Sequence, residues 1–269
     1  MNRIKFATNL SRIEIDITYD CNLKCLNCNR SCTQAPSKEM MSFEQIKGFI
    51  DETINLNLKW EKINILGGEP TLHPDFLQII NLILEEYVYK HSLNTVLQIT
   101  SNGLPSSKKI LEQLPLSKNI KINKLSFKKH YIVEHFIPFN LAPIDNELFT
   151  NANFSNGCWI TNSCGIGLNP YGYFCCAVAG GIERIFGLKK SIMHLSSITE
   201  FELNEQLSTY CRFCGSFSAY DSNKGAFIED NDILPLNKAI ISKTWVEKYA
   251  EYANNPKQLE KVYFKNFEL

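Results

Sequence analysis

Three cysteines crowd one short segment, Cys21-Asn22-Leu23-Lys24-Cys25-Leu26-Asn27-Cys28, directly after the alternating run Ile13-Glu14-Ile15-Asp16-Ile17. The alternation has the period of a β-strand, which places the thiols on the loop leaving its carboxyl end. Three thiolates on one loop can hold three irons of a [4Fe–4S] cluster. Full ligation takes four cysteines, so one iron would stay open to bind something else. Zinc sites usually pair a CxxC with a distant CxxC or His pair, and the CxxxC step does not fit that spacing. Reduced core cysteines are the other alternative.

Two more strand ends carry unusual residues. Ile63-Asn64-Ile65-Leu66 runs into Gly67-Gly68-Glu69-Pro70, and Val96-Leu97-Gln98-Ile99 runs into Thr100-Ser101-Asn102-Gly103. Glycines let backbone approach a ligand that a Cβ would block, and a carboxylate can accept hydrogen bonds from an ammonium. The three motifs, in this order, resemble those of the radical S-adenosylmethionine (radical SAM) enzymes. That resemblance implies a partial (β/α) barrel whose first loop holds a [4Fe–4S] cluster at Cys21, Cys25 and Cys28. It also implies that S-adenosylmethionine meets Gly67, Gly68 and Glu69, with Ser101 and Asn102 on the neighbouring strand end. The residue before the family's third cysteine is most often aromatic and packs near the adenine, whereas this chain has Asn27. Cys32 lies outside the signature and reads as a small buried thiol.

The rest of the first half alternates strand and helix. Ser42-Phe43-Glu44-Gln45 is a capping box, and Phe43, Ile46, Phe49, Ile50 and Ile54 share one face of a helix expected over 43–55. A strand at 62–66, a helix from Pro74 burying Phe76, Ile79, Ile80, Ile83, Leu84 and Tyr87, and a strand at 96–99 follow. This order predicts an α/β fold with a parallel sheet and a site at the strands' carboxyl ends. A short helix at 109–114 and strands at 120–125 and 131–136 bring the expected strands to about five, too few for a closed eight-stranded barrel. Prolines make 137–145 irregular. The expected domains are a radical SAM partial barrel at 1–145 and a smaller domain at 146–269.

That second half holds Cys158, Cys164, Cys175, Cys176, Cys211 and Cys214. Cys211-Arg212-Phe213-Cys214 is a CxxC, which puts two thiolates on one metal and needs partners from elsewhere. Cys164 to Cys176 reads as a hairpin turning at Asn169-Pro170-Tyr171-Gly172, with thiols before and after the turn. The arrangement resembles the SPASM and shortened twitch auxiliary-cluster domains of radical SAM enzymes. The twitch resemblance implies an auxiliary [4Fe–4S] cluster on Cys158, Cys176, Cys211 and Cys214, with Cys175 and Cys164 as rival ligands. A structural zinc on the same four is the alternative. The C-terminal stretch Ile240, Ile241, Trp245, Val246 and Tyr249 has helical spacing. His73, His91, His130, His135 and His194 form no ligand-spaced pair and read as surface or packing residues.

Lys plus Arg and Asp plus Glu both number 28, so nothing in the charge balance points to nucleic acid or an anionic membrane. No apolar run reaches the ~18 residues of a spanning helix and no signal peptide is recognisable, which makes a soluble cytoplasmic protein the expectation. Ten cysteines in that setting read as metal chemistry in a reducing compartment. The family resemblance implies reductive cleavage of S-adenosylmethionine, hydrogen-atom abstraction from a substrate, and oxidation or epimerisation aided by the auxiliary cluster. A flavodoxin or ferredoxin would supply electrons. The first strand starts within about a dozen residues of Met1, which leaves no room for a peptide-recognition domain and favours a sugar, cyclitol or nucleoside-like substrate. A peptide-modifying maturase is the alternative. His135, Asn140, Asp145, Glu183 and Arg184 are candidate substrate contacts, with His135, Asp145 and Arg184 as candidate catalytic residues. The rival from another class is a non-catalytic two-cluster electron carrier, against which the ligand-shaped strand ends argue.

Overall fold

Ile13, Ile15 and Ile17 of strand β1 (Arg12–Thr18) are fully buried, and so are Asp16 and Thr18 on the opposite face. A strand covered on both sides needs partners for its polar face, and that requirement shapes the architecture. The structure is a computed structural model describing residues 4–124, 139–218, 220–221, 226–227 and 241–264. The strand expected at 131–136, together with Ile137, Pro138, His130, His135 and Ile240, lies outside the described residues.

Helix α1 (Phe43–Asn55) starts at the capping box: the Ser42 hydroxyl accepts from the Gln45 amide, and the Gln45 side chain accepts from the Ser42 amide. Strand β2 (Lys62–Gly67) leads to α2 (Phe76–Leu82), which continues through a π-helical turn (Ile83–Val88) into α3 (Tyr89–His91). Strand β3 (Val96–Ser101), α4 (Pro105–Leu111) and β4 (Ile120–Lys124) complete the alternation. Proline at its start sets α4 four residues ahead of the expected position, because a helix's first turn needs no amide there.

The sheet order is β4-β3-β2-β1-β5-β6. Strands β1 to β4 are mutually parallel. Strand β5 (Ile166–Asn169) runs parallel to β1, and β6 (Gly172–Phe174) returns antiparallel. The hairpin turns at Pro170-Tyr171, where the Asn169 side chain accepts from the Tyr171 amide. The hairpin read from the second half thus extends the sheet built by the first. The sheet stays open, in keeping with a partial barrel.

Register puts Ile13, Ile63 and Leu97 on one face, with Ile15, Ile65 and Ile99 beside them. They join Ile46, Phe49, Ile50, Ile79, Ile80, Ile83 and Tyr87 of the helices in one core. The other face carries Glu14, Asn64 and Gln98 in register, and Gly167 opposite Glu14. A Cβ on Gly167 would lie 2.4 Å from the Cα of Ala177, so only glycine lets helix α6 (Ala177–Phe186) start directly on this inner face. Helices α5 (Trp159–Ser163), α7 (Glu200–Tyr210), α8 (Gly215–Ser218) and α9 (Lys243–Asn254) fill the second half. Among the described residues, no helix is long and apolar enough to cross a membrane.

Candidate active site

Cys25 and Leu23 form a small buried cluster against which Cys21, Cys28 and Leu104 pack, and Cys21 and Cys28 also touch the main core. Cys25 is buried, while Cys21 and Cys28 are half-buried. Hydrogen bonding from the Cys32 thiol lowers the pKa of Cys28 to about 6, which favours the thiolate that iron needs. Cys32 is therefore a buried thiol with a specific contact to the cluster loop.

The other two motifs lock onto this loop. The amides of Gly68 and Glu69 donate to the carbonyls of Thr18 and Asp20, at 2.7 and 2.8 Å. A Cβ on Gly67 would meet the Thr18 carbonyl oxygen at 2.2 Å, and one on Gly68 would meet that of Asp20 at 2.2 Å. The close approach that these glycines permit is to the protein's own backbone at the mouth of the cysteine loop. Glu69 is fully buried. Its Oε1 accepts from the Thr71 amide and the Thr71 and Ser101 hydroxyls, and its Oε2 accepts from the Asn102 amide. Asn102 in turn donates to the Asn22 side chain at 2.6 Å, inside the cysteine loop. The three motifs form one hydrogen-bonded unit.

Below it lies a cavity of about 370 Å³ on the inner face of the sheet. Asn27, Asn29 and Arg30 of the cysteine loop line one side; Ile160, Cys164, Val178 and Ser216 line another. The strands supply Glu14, Asn64, Gln98, Thr100 and Asn123. Gln98 donates to Thr100, Thr100 to Asn64, and Asn64 to Glu14, so the network has a fixed donor direction ending on a carboxylate. Arg30 donates to Glu14 at 3.1 Å and to both oxygens of Asp16 at 3.2 Å. Burial pushes the Asp16 carboxyl up to about 6, although Arg30 opposes the shift. Alternation in β1 announced these polar residues. Their inward direction depended on what covers each face.

A second pocket is small and mostly apolar. It is lined by Cys158, Cys175, Cys176, Cys211 and Cys214 together with Ile160, Val178, Ala179, Ile182, Tyr210 and Phe217. Cys158 precedes α5, Cys176 precedes α6, and Cys211 follows α7. Cys175 and Cys176 both line it. Hydrogen bonding from Cys175 lowers the Cys176 pKa and raises that of Cys175, leaving Cys176 the readier thiolate. Burial raises Cys158, and pushes Cys214 up to about 12, so occupation by a metal would release protons. Cys164 instead lines the polar cavity, where burial and the neighbouring Glu14 push its thiol up to about 12. Among the described residues, no three Cys, His, Asp or Glu side chains surround a point at single-ion distance. A four-iron cluster spaces its thiolates more widely, one on each iron.

Residues 15–126 match the family model described as the Radical SAM superfamily. The chain carries a radical SAM domain. Such a domain uses a [4Fe–4S] cluster and S-adenosylmethionine, and the convergence of Cys21, Cys25 and Cys28 fits the cluster. The GTP 3′,8-cyclase of Campylobacter jejuni subsp. doylei is 33% identical over 130 residues, covering 46% of this chain and 38% of that protein. A probable GTP 3′,8-cyclase of Pyrococcus horikoshii is 30% identical over 135 residues, covering 49% and 40%. The match therefore spans well under half the length of either relative. The crystal structure of BtrN in complex with AdoMet and 2-DOIA aligns with a TM-score of 0.46 at 15% identity, over 80% of this chain and 94% of that one.

The remaining described candidate contacts, Asn140, Asp145, Glu183 and Arg184, are not among the residues that line this cavity. Asn140 is buried and accepts from the Tyr249 hydroxyl. Asp145 is exposed and accepts from the amide and hydroxyl of Thr244 at the start of α9. Glu183 caps the end of α6 by accepting from the amides of Leu188 and Lys189, and also holds the Tyr210 hydroxyl. Arg184 is buried against backbone carbonyls. Flanking a site in sequence did not bring these side chains into it, because hairpin and helix turn them toward other contacts.

Proposed function

We propose that this protein cleaves S-adenosylmethionine reductively and directs the 5′-deoxyadenosyl radical at a small polar molecule in the inner cavity. A second [4Fe–4S] cluster on Cys158, Cys176, Cys211 and Cys214 would exchange an electron with that molecule, giving oxidation or epimerisation. One observation carries this reading: the cavity lies between the two cysteine groups. Asn27, Asn29 and Arg30 bound it on the first side, and Ile160 and Val178 line both it and the second pocket. Such a position suits a substrate that meets a radical at one end and an electron carrier at the other. Carboxamides and a hydroxyl on its strand wall suit a hydroxylated ring.

A nucleotide is the second reading, favoured by the GTP 3′,8-cyclase names of the relatives. A triphosphate calls for several free cationic groups. Among the described residues, the basic side chains lining this cavity are Lys62 and Arg30, and Arg30 is already engaged by two carboxylates. A peptide substrate and an outside electron donor of flavodoxin or ferredoxin type stay compatible with the cavity.

The test is anaerobic reconstitution with iron and sulfide, reduction, and assay for 5′-deoxyadenosine. Pools of deuterated cyclitols, amino sugars and GTP are then offered. Deuterium in 5′-deoxyadenosine from a cyclitol or sugar supports the reading, deuterium from GTP alone overturns the substrate class, and failure to cleave S-adenosylmethionine overturns the whole.

A further inference from the structure

Two arginines are buried beside the loop that follows Cys28, and their surroundings differ. Arg30 is neutralised by Glu14 and Asp16. Arg184, 1% exposed, has no carboxylate paired with it among the described residues. Its Nη1 donates to the Ala35 carbonyl at 3.0 Å and the Tyr252 hydroxyl at 2.9 Å. Its Nη2 donates to the carbonyls of Arg30 at 3.1 Å and Ser31 at 3.4 Å. The guanidinium carbon lies 4.6 Å from the centre of the Tyr19 ring and 5.3 Å from that of Tyr252. Nε has no partner among the described residues. Glu39, whose field reaches Arg184, is bound to the hydroxyls of Tyr171 and Ser37 instead.

Burying a guanidinium without a counter-charge is costly. The loop it clamps leads directly out of Cys28, whose carbonyl accepts from the Ser31 amide at 2.8 Å. Cys32, whose sulfur contacts Cys28 and lies within the field of Arg184, is no counter-charge itself, since that contact and burial keep its thiol protonated. The Tyr249 hydroxyl, 2.7 Å from that of Ser31, feels Cys28 and Arg184 together. A [4Fe–4S] cluster on three thiolates is anionic and gains another negative charge on reduction, so a fixed cation beside it favours the reduced form.

We propose that Arg184 is a positioning residue that supplies the uncompensated positive charge beside the cluster of Cys21, Cys25 and Cys28, while clamping the loop from Arg30 to Ala35. The inference rests on the radical SAM reading. It also gives α6 a second role. The helix begins directly after Cys176 and presents Arg184 two turns later, so one rigid element links the second cysteine pocket to the first cysteine loop.

The test compares the reconstituted full-length protein with Arg184→Met, Arg184→Gln and Arg184→Lys. Iron, sulfide and thermal midpoint are measured. Reduction is followed by electron paramagnetic resonance, using the signal that changes when S-adenosylmethionine is added. Both neutral variants are expected to disfavour reduction of that cluster about tenfold, a 59 mV fall for a one-electron couple. Arg184→Lys is expected to keep most of the original potential. An unchanged potential in Arg184→Met or Arg184→Gln at full iron content overturns the proposal, as does an equal fall in Arg184→Lys. Should the neutral variants lose iron while Arg184→Lys retains it, the charge is needed for assembly and the proposal stands. Should all three lose iron and fold together, the role is structural only and the proposal fails. An unsubstituted protein with no S-adenosylmethionine-responsive cluster would count against the radical SAM reading itself.

Discussion

The backbone amide of Asn102 donates to Oε2 of Glu69 at 2.7 Å, joining loops that leave two neighbouring strands. Through it the cysteine loop, the Gly-Gly-Glu-Pro turn and the end of β3 hold one another in place. Three protein donors occupy Oε1 and one occupies Oε2, so the acceptor direction left for an ammonium is on Oε2.

Glu69→Gln tests that arrangement. Its amide nitrogen must face either the three donors or the Asn102 amide, leaving at least one buried N–H unmatched. A loss of about 1–3 kcal/mol of stability is expected from chemical denaturation. Weaker S-adenosylmethionine binding at undiminished iron content is expected from titration. A variant as stable as the parent would show that the carboxylate network contributes little.

Cys21→Ala, Cys25→Ala and Cys28→Ala are each expected to abolish 5′-deoxyadenosine formation, since each removes one of the three thiolates proposed to hold the cluster. Undiminished product from any one of them would sink the assignment of that residue.

Replacing Cys21, Cys25 and Cys28 together by alanine is expected to leave about four irons per chain, the content of a [4Fe–4S] cluster on the second pocket. Cys164→Ser in that background is expected to keep them, because Cys164 faces the polar cavity. Loss of iron with Cys164→Ser, or zinc in place of iron and sulfide, would refute the ligand set or the cluster respectively.

Asp16 gives a pH dependence. Its carboxyl titrates at about 6 when folded, against 3.8 for the free side chain, because burial penalises the charge. Between those values the folded protein binds more protons than the unfolded chain, so this residue makes stability fall as pH rises from about 4 to about 6. The fall is of order 3 kcal/mol at 1.36 kcal/mol per unit. Thermal midpoints of the parent minus those of Asp16→Asn are expected to decline across that window and level off above it. A flat difference would mean that Arg30 holds Asp16 ionised throughout.

The three motifs, the capping box at Ser42, the hairpin turn at Asn169 and the parallel alternation were legible in the sequence. Each depends on a few neighbouring residues whose chemistry admits few local conformations. The helix expected from Pro74 was legible too, although it starts at Phe76, and its π-helical turn was not, since apolar spacing alone does not separate the two windings.

Sequence by itself marked the radical SAM strand ends and a second group of cysteines, leaving open which of Cys164, Cys175 and Cys176 join Cys158, Cys211 and Cys214. Tertiary structure decided which way the polar residues face. Glu14 and Asp16 alternate with isoleucines as they would on a solvent-facing strand, yet Arg30 and Asn64 close over them because helices already cover the opposite face. It also moved Arg184 from a flanking candidate to a buried clamp and brought Cys164 to the polar cavity. These outcomes turn on pairings between residues far apart in the chain, such as Glu14 with Gly167 across β1 and β5. A one-residue change in strand register would send every side chain to the other face, and no local pattern specifies that register.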